Sequence, residues 1–160
     1  MWLMGGRAIV CCAMVAACGS PEQPHFTQLE KGSPREKVKA ALYLGTHGHS
    51  GAIPHLQLAL QDTNAEVLAS VIWSLGTLRS KSSLARLLPM LAHEDRDVRQ
   101  AAAQALKKIE EPEAISVLEA ALGKERDRWV ARDISDAISH LRQFEGEVEV
   151  GEMRVKHSFF

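Results

Sequence analysis

The sequence predicts an all-α fold, a short α-solenoid of stacked helical pairs with about seven helices, and three observations carry that prediction. One apolar template recurs every 31 residues: Leu44, Leu75 and Leu106 align, as do Ile53, Leu84 and Ile115, then Leu56, Leu87 and Leu118, then Leu60, Leu91 and Leu122. Within each copy the apolar residues fall three and four apart, as in Ile53, Leu56, Leu60 and again in Val98, Ala102, Ala105, Leu106, Ile109, which is the period of a helix with one buried face. Helix-start chemistry sits at the breaks between these runs.

Taken in order, the first helix spans 34–46, because Ser33-Pro34-Arg35-Glu36 combines a capping box with proline at the first helical position. The second spans 51–61 on the Ile53, Leu56, Leu60 spacing. Asp62 to Asn64 start the third, 65–79, in which Val67 and Leu78 occupy the columns of Val98 and Ile109. The fourth, 82–92, contains Pro89, which should kink it because proline lacks the N–H and crowds the preceding turn. Asp95 starts the fifth, 96–110, and Glu111-Pro112 the sixth, 112–123. A shift of 32 residues brings Val98, Ala102, Leu106 and Ile109 onto Val130, Ile134, Ile138 and Leu141, giving the seventh, 127–143, as a partial fourth copy. One pair cannot bury its apolar face alone, and stacked pairs can.

Outside residues 33–143 the composition changes. Arg7 followed by the uncharged run Ala8 to Ala17 has the layout of a secretory signal and is too short to span a bilayer. Residues 1–17 therefore read as a signal peptide, and Val15-Ala16-Ala17-Cys18 resembles the bacterial lipobox, which implies lipidation of Cys18 and cleavage before it. An ordinary signal peptide cut after Ala17, or the small-residue start of a buried helix, are the alternatives. On the lipoprotein reading Cys11 and Cys12 leave with the signal, Cys18 remains alone, and no intramolecular disulfide forms. Residues 18–32, rich in Pro, Gly and polar groups, are expected to be a flexible tether. Residues 144–160 contain "EVEVGEMRVK", whose arms match around Gly151-Glu152, so this tail is either a β-hairpin or a charged disordered terminus. The true start is Met1 or Met4.

The best copy, "HEDRDVRQAAAQALKKIEEPEAISVLEAAL", resembles HEAT repeats, particularly the short bacterial type first associated with phycocyanobilin lyases. Asp95, Asp97, Val98 and Arg99 match the acidic turn and Val-Arg helix start of that family, which implies acid–base pairing from one repeat to the next. Asn64 and Leu68 replace the acid and the arginine in the preceding copy, so any such ladder should be interrupted there.

Function is less legible. With 19 Lys plus Arg against 20 Asp plus Glu, a net charge of −1, no basic excess is available to hold a phosphate backbone, and nucleic-acid binding is disfavoured. No nucleophile elbow or glycine-rich phosphate loop is present, no catalytic residue is assigned and no cofactor is expected. His47, His49 and His55 are the weak candidate metal ligands, set against simple turn chemistry. By helical phase Trp73 lies off the core direction, level with Leu42 and Gln104; it either packs on an adjacent repeat or anchors a partner. Trp129 opens the last helix, where capping the stack is the commoner use. Trp73, Arg79, Gln104 and Lys108 are the candidate partner contacts. The leading expectation is a monomeric, membrane-anchored interaction scaffold in the bacterial cell envelope, the outer membrane favoured, bound to an envelope protein the sequence does not identify. An enzyme subunit or metal-binding protein related to the phycobilin lyases is the alternative, and a passive structural spacer a third.

Overall fold

The computed structural model describes residues 23–144, which form α1 (Gln23–Lys31), α2 (Pro34–Thr46), α3 (Ile53–Ala59), α4 (Ala65–Thr77), α5 (Leu84–Leu87), α6 (Arg96–Ile109), α7 (Ile115–Leu122) and α8 (Arg128–Leu141). The second helices α2, α4, α6 and α8 pack successively side by side, and α1, α3, α5 and α7 each contact the second helix of their own pair. No strand occurs among the described residues. The lipobox, the start codon and the proposed hairpin lie outside them.

The aligned columns are the core. Leu44, Leu75 and Leu106 have no exposure, nor do Leu56, Leu87 and Leu118, or Val67, Val98 and Val130. Each second helix begins on the capping chemistry its copy carries. The Ser33 N–H and hydroxyl both donate to the Glu36 carboxylate at 2.7 Å. The Asn64, Asp95 and Asp127 side chains each accept the N–H groups two and three residues on, which satisfies donors that the helix cannot.

Three expectations are corrected. Residues 23–31, assigned to a flexible tether, are helical: Leu29 is buried, Phe26 packs against the core, and α1 lies on α2 and α3. The reason is that α2 would otherwise lack the first helix of its pair, and two apolar residues at i and i+3 are enough to cover it. There are consequently eight helices among the described residues instead of seven. The first helices are also shorter than the periodicity suggests. Single 3₁₀ turns, Ser50–Ala52 and Pro112–Ala114, precede α3 and α7, and α5 gives way to a 3₁₀ segment, Leu88–Ala92, at Pro89, where the expected interruption occurs.

Successive second helices approach through a small-residue column. A Cβ on Gly45 would sit 2.8 Å from the Ser74 Cβ, and one on Gly76 would sit 2.6 Å from the Ala105 Cα, so only hydrogen fits at either crossing. The Ser74 hydroxyl donates across the first crossing to the Ala41 carbonyl at 2.8 Å. One repeat further, Lys107 stands where Gly76 stands and Ala137 where Ala105 stands, and Lys107 reaches past that crossing to pair with Asp136 at 2.6 Å. A long side chain replaces the glycine on α6, and the surface between α6 and α8 opens.

At the starts of the second helices lies the acid–base ladder. Lys37 binds Asp62 at 2.7 Å and Arg99 binds Glu125 at 2.8 Å. Between them the equivalent positions are Leu68, which is buried, and His93, so the ladder breaks where expected.

Candidate partner-binding groove

The opening between α6 and α8 is a groove of about 360 Å³ at the C-terminal ends of the second helices. Arg79, Gln104 and Lys108, three of the four candidate contacts, line it, together with Lys107, Glu110 and Asp133. The fourth, Trp73, lies half-buried on α4 with the Lys108 ammonium 4.7 Å from its ring centroid. A cation over an indole face is attracted by the ring quadrupole, so Trp73 and Lys108 hold each other in place. Lys108 also donates to the Thr77 hydroxyl at 3.2 Å.

The remaining groups form a bridged rim. Arg79 donates to Glu110 at 2.8 Å across one repeat, and His140 Nε2 lies 3.6 Å from the other oxygen of that carboxylate. Gln100 and Gln104 both donate to Asp133 Oδ2 at 2.8 Å. The hydrogen bond from Lys107 holds the Asp136 carboxyl below its usual range. Among the described residues no carboxylate lies in ion-pair contact with Lys108, the one groove lysine left without such a partner.

Backbone conformation singles out the same rim. Gly48, Arg79 and Glu110, one per repeat at a spacing of 31, all have positive φ, of 71°, 49° and 61°. They end α2, α4 and α6 in a left-handed turn, with His49 N–H donating to the Leu44 carbonyl and Ser80 N–H to that of Leu75. Glycine adopts this conformation freely and an L side chain does not. Two of the three copies nevertheless place a charged side chain there.

The candidate metal ligands do not converge. His47 stacks on Tyr43 at 4.0 Å, with its Nδ1 2.9 Å from the Tyr43 carbonyl, and His49 lies 6.1 Å from both rings. His55 belongs to another cluster, stacked on Phe26 at 4.5 Å and 3.3 Å from Glu30. Among the described residues no three His, Cys, Asp or Glu side chains are placed to hold a metal ion. Cys18 lies outside the described residues.

Sequence reasoning missed Lys107, Glu110, Asp133, Asp136 and His140. The available signal was the column itself, in which Lys107 stands where Gly45 and Gly76 stand.

The family model for HEAT repeats matches residues 23–93 and 53–139 in two overlapping alignments. The chain belongs to the HEAT-repeat family. The first alignment starts at Gln23, the first residue of α1, so the helix missed in the sequence is part of the first HEAT pair. A comparison with curated proteins finds no match.

Proposed function

We propose that this HEAT-repeat chain is a lipid-anchored interaction scaffold of the bacterial cell envelope, tethered through Cys18, that presents the groove between α6 and α8 to a protein partner. It is a binding module and not a catalyst. One observation carries the reading: Lys108 is fixed over the Trp73 ring at the edge of a groove, with no carboxylate of its own. An aromatic platform beside an unneutralised cation is the composition of a binding hot spot, and it suits a partner segment that carries an acidic side chain. Left-handed Arg79 and Glu110 add support, because strained charged residues collect where a surface is used.

Anchoring rests on the N-terminal pattern, Arg7, the uncharged run to Ala17 and the small residues before Cys18. Among the described residues no helix is long and apolar enough to cross a membrane. Chemical cross-linking in the native envelope, with the wild-type chain and with Lys108→Glu, tests the reading. A discrete adduct made by the first and lost by the second is expected. Equal capture by both would refute the groove as the contact.

A further inference from the structure

The end of the solenoid breaks a rule that its other copies keep. The first turns of α2, α4 and α6 carry an acid, Glu36, Glu66 and Asp97, which suits the positive end of the helix dipole. The first turn of α8 carries none. Its equivalent of Glu66 and Asp97 is Trp129, and Arg128 precedes it. Trp129 is 46% exposed, so it is not spent on closing the stack. The Arg128 guanidinium lies 4.6 Å and that of Arg132 5.7 Å from its ring centroid. Asp127 still caps α8, but a first turn that holds an indole where earlier copies hold an acid, gathers cations and leaves that indole exposed departs from folding preference, and such departures mark functional surface.

The structure also sorts the charges of "KERDRWVARD", residues 124–133, which look nearly balanced in sequence. The acids are engaged inward: Glu125 is nearly buried against Arg99, Asp127 caps α8, and Asp133 accepts from Gln100 and Gln104. Lys124, Arg126, Arg128 and Arg132 are all exposed, and among the described residues none of them forms an ion pair. Lys124 and Arg126 stand on the rim of a groove of about 710 Å³ that also exposes Leu88, Pro89 and Val117. Arg128 and Arg132 at an exposed indole, and Lys124 and Arg126 at an apolar groove floor, pair cations with apolar surface as a bilayer surface does, phosphate outside and hydrocarbon within.

The geometry points to a second membrane contact: the α7–α8 corner, through Arg128, Trp129, Arg132, Lys124 and Arg126, docks on a bilayer surface rich in anionic phospholipid. The contact is independent of the Cys18 anchor and of the α6–α8 groove. A nucleic acid is the poorer occupant, because four cations on a chain of net charge −1 neutralise few phosphates.

The test uses the chain from residue 18 onward with Cys18→Ser and Trp73→Phe, which removes the acylation site and leaves Trp129 as the sole tryptophan. Phosphatidylglycerol-containing vesicles should shift its emission to the blue and sediment the protein at low salt, while pure phosphatidylcholine vesicles and high salt should do neither. Arg128→Gln with Arg132→Gln, checked for an unchanged unfolding temperature, should bind on the order of 30-fold more weakly, from about fivefold per cation near an anionic surface. Failure to bind anionic vesicles, equal binding by the double variant, or tighter binding of a single-stranded oligonucleotide than of vesicles would each overturn the proposal.

Discussion

Arg79 and Glu110 are the same position in successive repeats, both in left-handed backbone, and they bind each other at 2.8 Å. Gly48 fills that position one repeat earlier. A left-handed L residue costs about 1–2 kcal/mol, whereas an ion pair with Arg79 largely exposed contributes about 0–1 kcal/mol. Arg79→Gly should therefore leave stability unchanged or raise it by up to about 1 kcal/mol, measured by urea unfolding, while weakening partner capture. A variant that loses more than about 1 kcal/mol would show that the pair is structural and remove it from the binding argument.

The close crossings of the second helices predict a contrast between two glycines. At Gly76 a methyl group would meet the Ala105 backbone, whereas at Gly51 nothing lies within 4 Å. Gly76→Ala should cost about 1–3 kcal/mol by forcing α4 and α6 apart, and Gly51→Ala should be neutral or slightly stabilising. Equal thermal stability of the two variants would contradict the packing register.

Glu125 provides a pH signature. The hydrogen bond from Arg99 is the largest cause that lowers its carboxyl from the ordinary 4.5 to about 2, with the Asp127 and Arg126 N–H groups adding to it. The folded state thus binds the proton more weakly than the unfolded chain. The resulting stabilisation is complete above about pH 4.5 and is lost as pH falls toward 2. On the order of 3 kcal/mol is at stake, since the side chain is only 5% exposed. Glu125→Gln should lower stability at pH 7 and flatten its decline between pH 4.5 and 2; an unchanged acid profile would reject the assignment.

How much of this was legible follows from what each feature depends on. The second helices were readable because Leu44, Leu75 and Leu106 repeat at a fixed interval and each helix starts at its own cap. Helix α1 was not, because Phe26 and Leu29 among polar neighbours give too weak a period, and α1 gains its stability from packing on α2. Helical phase put Trp73, Gln104 and Lys108 on one face, but the groove depends on Lys107 standing where Gly76 stands and pairing with Asp136 on α8, a relation between repeats. The cationic corner at Trp129 was hidden for a similar reason. Which charges face water is decided by Arg99 and the α8 cap, and not by the order of residues 124–133.

The N-terminal reading makes a separate prediction. Cys18→Ser should release the chain from the anchored membrane fraction after a high-salt wash, because salt screens the cationic corner but leaves acyl chains inserted. A variant that stays membrane-bound through that wash would exclude Cys18 as the anchor.

The central claim is that the α6–α8 groove contacts a specific partner, and position-specific photo-cross-linking in the native envelope tests it most directly. A photoreactive residue at Gln104, on the groove, is compared with one at Leu58, which is 60% exposed on α3. The account predicts one discrete, saturable adduct from position 104, abolished by Lys108→Glu, and none from position 58. Adducts from position 58 alone, or an adduct at 104 that Lys108→Glu leaves intact, would contradict it.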